Sequence, residues 1–256
     1  MRKSSRLLGL ASLAAFASAA QAHDFFLMPA TFRPAAEGDL TIEATVSSSF
    51  PQRENVVAAD RVARLQATGP GEPRLAIAGT GATALNLRLS TRRPGLHIAG
   101  VASVPRDVDY AEDRIGVILE EYHLGGDAAA FIERLPRPRT WQVSSRRYAK
   151  TIICAVRCDG QAGASARFGY DLEFVSEDPA GGHFQLLGPE GRPLPDHLVQ
   201  LVSADGRRRP LRTDNQGRVH LPGDASGAIM LFAAALRPPQ PGQRSILDLT
   251  SLTLTR

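Results

Sequence analysis

Short runs of alternating polar and apolar residues, broken by Pro and Gly and repeated from Asp24 onward, confine this chain to a mainly β architecture. Leu40-Thr41-Ile42-Glu43-Ala44-Thr45-Val46 has a period of two, as do Ala63 to Ala67, Ala84 to Leu89 and Gly95 to Ala99. A half-buried strand has that period, because successive side chains point to opposite faces of the sheet. Turn residues at this spacing predict an antiparallel β-sandwich of the Ig-like or transthyretin-like kind. One segment breaks the rhythm, at about residues 110–135. Ile115, Ile118, Leu119 and Tyr122 have helical spacing, and a second short helix is expected over 128–135. The Gly125-Gly126 pair is expected to end the first helix and Asp127 to cap the second.

Trp141 and the run Arg147 to Ile153 predict a strand, 160–166 a loop, and Tyr170 to Val175 another strand. Beyond Asp178-Pro179 come some seven short strands in about 80 residues, which predict a second small sandwich. The expected division is therefore an N-terminal sandwich with a helical insertion over 23–178 and a C-terminal Ig-like sandwich over 179–256.

Residues 1–22 read as a secretory signal peptide. Arg2, Lys3 and Arg6 precede an apolar run from Leu7 to about Ala19, and Ala20-Gln21-Ala22 has the small-x-small pattern of a cleavage site. The run is too short for a membrane span, and none is expected in the mature chain. Three of the 30 Lys and Arg lie in this segment and none of the 26 Asp and Glu, so cleavage lowers the formal charge from +4 to +1. Basic clusters remain at Arg146-Arg147 and Arg207-Arg208-Arg209, expected to be a strand entrance and a solvated turn. Neither is interleaved with aromatics as a base-stacking groove requires, so nucleic acid is not an expected partner.

Cleavage after Ala22, expected in the periplasm, would leave His23 as the first residue. A free N-terminal histidine offers its α-amino nitrogen and its ring Nδ1 to one ion, and such nitrogens suit nickel, copper or zinc. The amine titrates near ~8, so metal can displace its proton around neutral pH. No two of the other histidines are three or four residues apart. His97, between Leu96 and Ile98, is expected to face solvent, and His123 to sit near a helix C-terminus, where positive charge suits the macrodipole. Asp24, His97 and His123 are the candidate supplements to His23. Cys154 and Cys158 are the only cysteines. Four residues of straight strand span roughly 13 Å, beyond the ~7 Å reach of a disulfide, so a bridge needs a turn between them. A disulfide and a two-thiolate metal site both remain open. No Gly-x-Ser-x-Gly elbow, His-Glu-x-x-His, phosphate loop or dinucleotide fingerprint occurs, and no enzymatic activity is expected.

The start His23-Asp24-Phe25-Phe26-Leu27-Met28-Pro29, the Arg147-Tyr148-Ala149-Lys150 strand, the Tyr170-to-Pro179 segment and the Gly191-Arg192-Pro193-Leu194, Thr213-Asp214 and Gly217-Arg218 elements follow one another in a familiar order. Together they resemble the NikM-like nickel/cobalt-uptake accessory family. The resemblance implies a periplasmic protein of two β-sandwich modules, tied in some members to nickel or cobalt import, that serves a membrane metal transporter and has His23 as a metal ligand. Its nitrogen donors suit copper as well, and an outer-membrane receptor is the other expected partner. The chain departs from that pattern at Ser47-Ser48-Ser49-Phe50, where many members have Gly-His-x-Phe, and at Leu236-Arg237, where a histidine is frequent. The competing expectation is a β-sandwich binding module that contacts a partner protein or a polysaccharide.

Overall fold

Leu85, Leu87 and Leu89 are fully buried while Arg88 between them is exposed, so this run is a strand with one dry face. It belongs to a computed structural model that describes residues 23–158, 165–178 and 182–256. The expected signal peptide and most of the expected 160–166 loop lie outside the described residues.

In chain order the first strands are β1 (Asp24–Pro29), β2 (Gly38–Ser47), β3 (Asn55–Val56), β4 (Val62–Thr68), β5 (Arg74–Thr80), β6 (Leu85–Thr91), β7 (Gly95–Ser103) and β8 (Arg106–Ala111). Helices α1 (Glu112–Glu121) and α2 (Asp127–Glu133) follow. The remaining strands are β9 (Thr140–Ala155), β10 (Glu173–Ser176), β11 (His183–Leu187), β12 (Leu198–Ser203), β13 (Arg208–Arg212), β14 (Arg218–His220), β15 (Ala228–Arg237) and β16 (Ser245–Thr255).

These strands form three sheets in three layers. The central sheet runs β13-β12-β15-β16-β9-β7-β4, with β8 beside the first part of β9. On one of its faces lies the sheet β1-β2-β6-β5, with β3 at its margin, together with the two helices. On the other lies the small sheet β10-β11-β14. The molecule is thus mainly β, with sheets packed face to face and two short helices.

Alternation along β9 shows how one strand serves both faces. Trp141, Val143, Ala149 and Ile153 point to the helices and the first sheet, whereas Tyr148 points to the small sheet. In the first sheet Leu40, Ile42 and Ala44 of β2 stand directly opposite Leu89, Leu87 and Leu85 of β6. This row of cross-strand pairs packs on Ala99, Val101, Ala149 and Ile153, and each fully buried leucine is worth about 2 kcal/mol.

Three local expectations are corrected. The pairing is not antiparallel throughout, because β16 runs parallel to β9 from Ser245 opposite Val143 to Thr253 opposite Thr151. Nearly ninety residues lie between these strands, ample for the crossover that parallel neighbours need. At the end of α1 it is His123, not a glycine, that takes the left-handed conformation, with φ 53°. Asp127 is the first residue of α2 and makes no side-chain cap bond; Gly126 holds the capping position. Of the expected boundary at 178, the structure shows that two sheets draw strands from both sides: β10 pairs with β11, and β9 with β16.

Candidate functional site

His23 is exposed and stands at the start of β1, where two distant elements hold it. Its backbone N–H donates to Glu121 Oε1 of α1 at 3.1 Å. Its carbonyl accepts from Arg147 Nη1 of β9 at 2.9 Å, and Arg147 Nη2 donates to the Tyr122 hydroxyl at 3.2 Å. Burial pushes the Tyr122 phenol up to about 12, so it remains a neutral acceptor for that guanidinium. Farther along, the Ser251 and Thr253 hydroxyls of β16 donate to the carbonyls of Phe25 and Leu27, both at 2.6 Å. The first residues of β1 are therefore clamped from the helix side, from β9 and from β16.

His23 lines a cleft of about 840 Å³ between β3, β8, α1 and β9. Its floor is partly apolar, with Phe25, Val46, Val108 and Ile118. Four arginines surround it: Arg61, Arg106, Arg114 and Arg147. The one acid among its lining residues is Glu121.

The other candidates are not gathered here. Asp24 is only 1 % exposed and pairs with Arg208 of β13. Burial raises its carboxyl above the usual range, partly offset by Arg208. Arg208 is thus not the solvated turn residue expected: it opens β13, and its half-buried side chain pairs with the buried Asp24. His97 is fully buried rather than facing solvent. The central sheet is covered on both sides, so alternation along β7 offers no solvent face. Its Nε2 lies 3.0 Å from the Arg93 carbonyl, and its Nδ1 has no hydrogen-bond partner. Burial lowers its pKa, so the ring is neutral at neutral pH. His123 is exposed, but it lines a different cavity of about 700 Å³ with Asp127, Asp196, His197, Arg237 and Asp248.

Cys154 and Cys158 are joined in a disulfide, with Cα atoms 5.6 Å apart. The turn that the short spacing demanded is made at Val156, with φ 64°. That pairing removes the thiolates from metal binding. A pair that spacing along the chain did not reveal is His183 and His220, opposite each other on β11 and β14 with ring centroids 4.4 Å apart. Asp178 Oδ2 lies 2.7 Å from His183 Nδ1. Among the described residues, no group of three or more His, Cys, Asp or Glu is placed to hold a metal ion.

The profile of a family described as "Domain of unknown function (DUF4198)" matches residues 20–236. The chain belongs to this family. The match begins just before His23 and ends within β15, so the clamped start of β1 and the whole cleft lie inside the DUF4198 region. No curated protein matches the chain. Among the described residues of this DUF4198 member, no helix is long and apolar enough to cross a membrane.

Proposed function

We propose that this protein is a periplasmic accessory protein of the nickel/cobalt-uptake type, binding a divalent transition-metal ion through His23 as its mature N-terminal residue. The supporting observation is the placement of the His23 nitrogen, 3.1 Å from a Glu121 carboxylate oxygen at the rim of an open cleft. Cleavage after Ala22 converts that nitrogen from an amide to an amine. The amine, the ring Nδ1 and the Glu121 carboxylate then make a donor set of two nitrogens and one oxygen, which fits a borderline ion such as nickel, cobalt or copper. A small donor set leaves coordination positions open, as a protein that passes its cargo onward requires. The Arg147 contact fixes the His23 backbone and keeps the chelating end pointed at the cleft.

Binding displaces the ammonium proton, so affinity is expected to rise with pH through the amine's range near ~8. The test is calorimetric titration of nickel, cobalt and copper into the exported protein, after mass determination shows that it begins at His23. The same titration is run on a version with one extra N-terminal residue. Dissociation constants below about 10 µM, lost in the extended version, are the expected result. Equal affinities, or none, would leave the β-sandwich as a module for a partner protein or polysaccharide.

A further inference from the structure

We propose that the cleft beside His23 binds a small organic polyanion carrying two or more carboxylates on a short carbon skeleton. The observation is an excess of positive charge, four arginines against the one acid, Glu121. Among the described residues, thirteen arginines elsewhere pair with carboxylates, including Arg146, the neighbour of Arg147, which bonds Asp171 at 2.5 Å. Arg61, Arg106, Arg114 and Arg147 make no salt bridge among the described residues, and all four line the same cleft.

Two of them are held in place by neutral oxygens. Arg61 donates to the Val104 and Pro105 carbonyls at 2.9 and 3.3 Å, and Arg147 to the His23 carbonyl and the Tyr122 hydroxyl. Such contacts orient a guanidinium and leave its charge unspent. Four like charges converge at the folding cost of their mutual repulsion, and a walled cleft focuses their field on an anion entering it. Guanidinium groups recognise carboxylates with two parallel hydrogen bonds each. The apolar floor of Phe25, Val46, Val108 and Ile118 suits a carbon skeleton better than a bare inorganic anion.

The polycarboxylate has two possible sources, free in solution or already wrapped around a metal ion. The inference rests on the arginines and stands apart from metal binding at His23. Where both hold, the escorting carboxylates neutralise the field that would repel a naked cation.

The experiment titrates citrate, nickel, nickel citrate and sulfate separately into the processed protein. It repeats the citrate arms with Arg106→Gln and Arg114→Gln, both exposed side chains whose loss leaves the core intact; circular dichroism checks the fold. Citrate or nickel citrate is expected to bind with a dissociation constant below about 100 µM, weakened about tenfold or more in each variant and at high salt. Binding of citrate alone identifies the free anion as the source, and binding of nickel citrate alone identifies the complex. Nickel binding with no response to citrate in either form overturns the polycarboxylate site while leaving His23 as a metal ligand. Sulfate binding as tightly as citrate, or unchanged affinity in both variants, also overturns it.

Discussion

Lys150 and Glu173 are each 2 % exposed in their side chains, and their contact at 2.8 Å is the most deeply buried ion pair of the molecule's described part. The lysine ammonium also donates to the Ala166 and Phe174 carbonyls, at 3.2 and 2.8 Å. The carboxylate accepts backbone N–H groups from Phe168, Gly169 and Tyr170, at 2.6, 3.0 and 3.3 Å. Glu173 thus organises the whole 168–170 bend, and Lys150 ties it to β9. The two halves of the pair are unequal for that reason. Glu173→Leu strands a buried ammonium and three backbone donors, and is expected to cost about 3–5 kcal/mol in urea unfolding. Lys150→Met leaves the carboxylate with its three N–H partners and is expected to cost less; the reverse order would refute this account of the bend. A second buried acid gives a pH signature. Burial holds the Asp248 carboxyl above its usual range, while Arg237 draws it down in part. A carboxyl that keeps its proton more tightly in the fold stabilises the fold most in acid, and that contribution is lost as pH rises through its folded pKa. Wild type is therefore expected to lose stability relative to Asp248→Asn between about pH 4 and neutrality. A difference that stays constant with pH would contradict the raised pKa. His23 is conspicuous in the sequence because it follows a cleavage pattern. Its partners Glu121 and Arg147 carry no such mark, since they lie 98 and 124 residues away and meet it only through the fold.

Among the elements, β7 shows what periodicity reveals and what it conceals. The alternation of Leu96, His97, Ile98 and Ala99 announces a strand, and β7 is one. It does not announce that both faces are covered, and so His97 is buried. Gly100 marks a close approach of the 168–170 bend to β7. A Cβ there would meet the Phe168 ring at 2.6 Å and the Tyr170 hydroxyl at 2.7 Å. Gly100→Ala is accordingly expected to cost about 1–3 kcal/mol. Gly116 on α1 has open space around it, and Gly116→Ala is expected to gain up to about 1 kcal/mol through helix propensity. Equal effects from the two substitutions in urea denaturation would show that the close approach at Gly100 carries no strain. The helical insertion was readable from its apolar spacing, but the residue ending α1 was not, because the exposed polar His123 tolerates the left-handed conformation that glycine was expected to supply. The disulfide depended on a reversal at Val156, an exposed β-branched residue whose type argues against φ 64°. Local preference therefore could not decide that pairing. Removing it in a Cys154→Ser, Cys158→Ser double variant is expected to cost about 2 kcal/mol, since the closed loop is short.

At the scale of the molecule, the shared central sheet is expected to make unfolding a single event. Short strands and turn signals made the sandwich character legible, whereas the parallel seam between β9 and β16 has no local signature. Its register is fixed by tertiary contacts on both faces. Residues 179–256 expressed alone would lack β9 and β10, leaving β16 with an open edge and Phe184, Leu186 and Val219 without their covering aromatics. That fragment is expected to be unfolded by near-ultraviolet circular dichroism, and the full chain to melt in one transition. A fragment with native-like spectra would show an independent domain. The hydroxyls of Ser251 and Thr253 grip the backbone of β1 from the far end of the chain's order of elements. Each of these contacts joins residues 226 positions apart, so the hold on the segment bearing His23, begun by β2, α1 and β9, is completed only when β16 has been made. A product that stops before Ser245 would keep the pairing with β2 but lose both hydroxyl contacts, so the firmness of this segment reports whether β16 is in place.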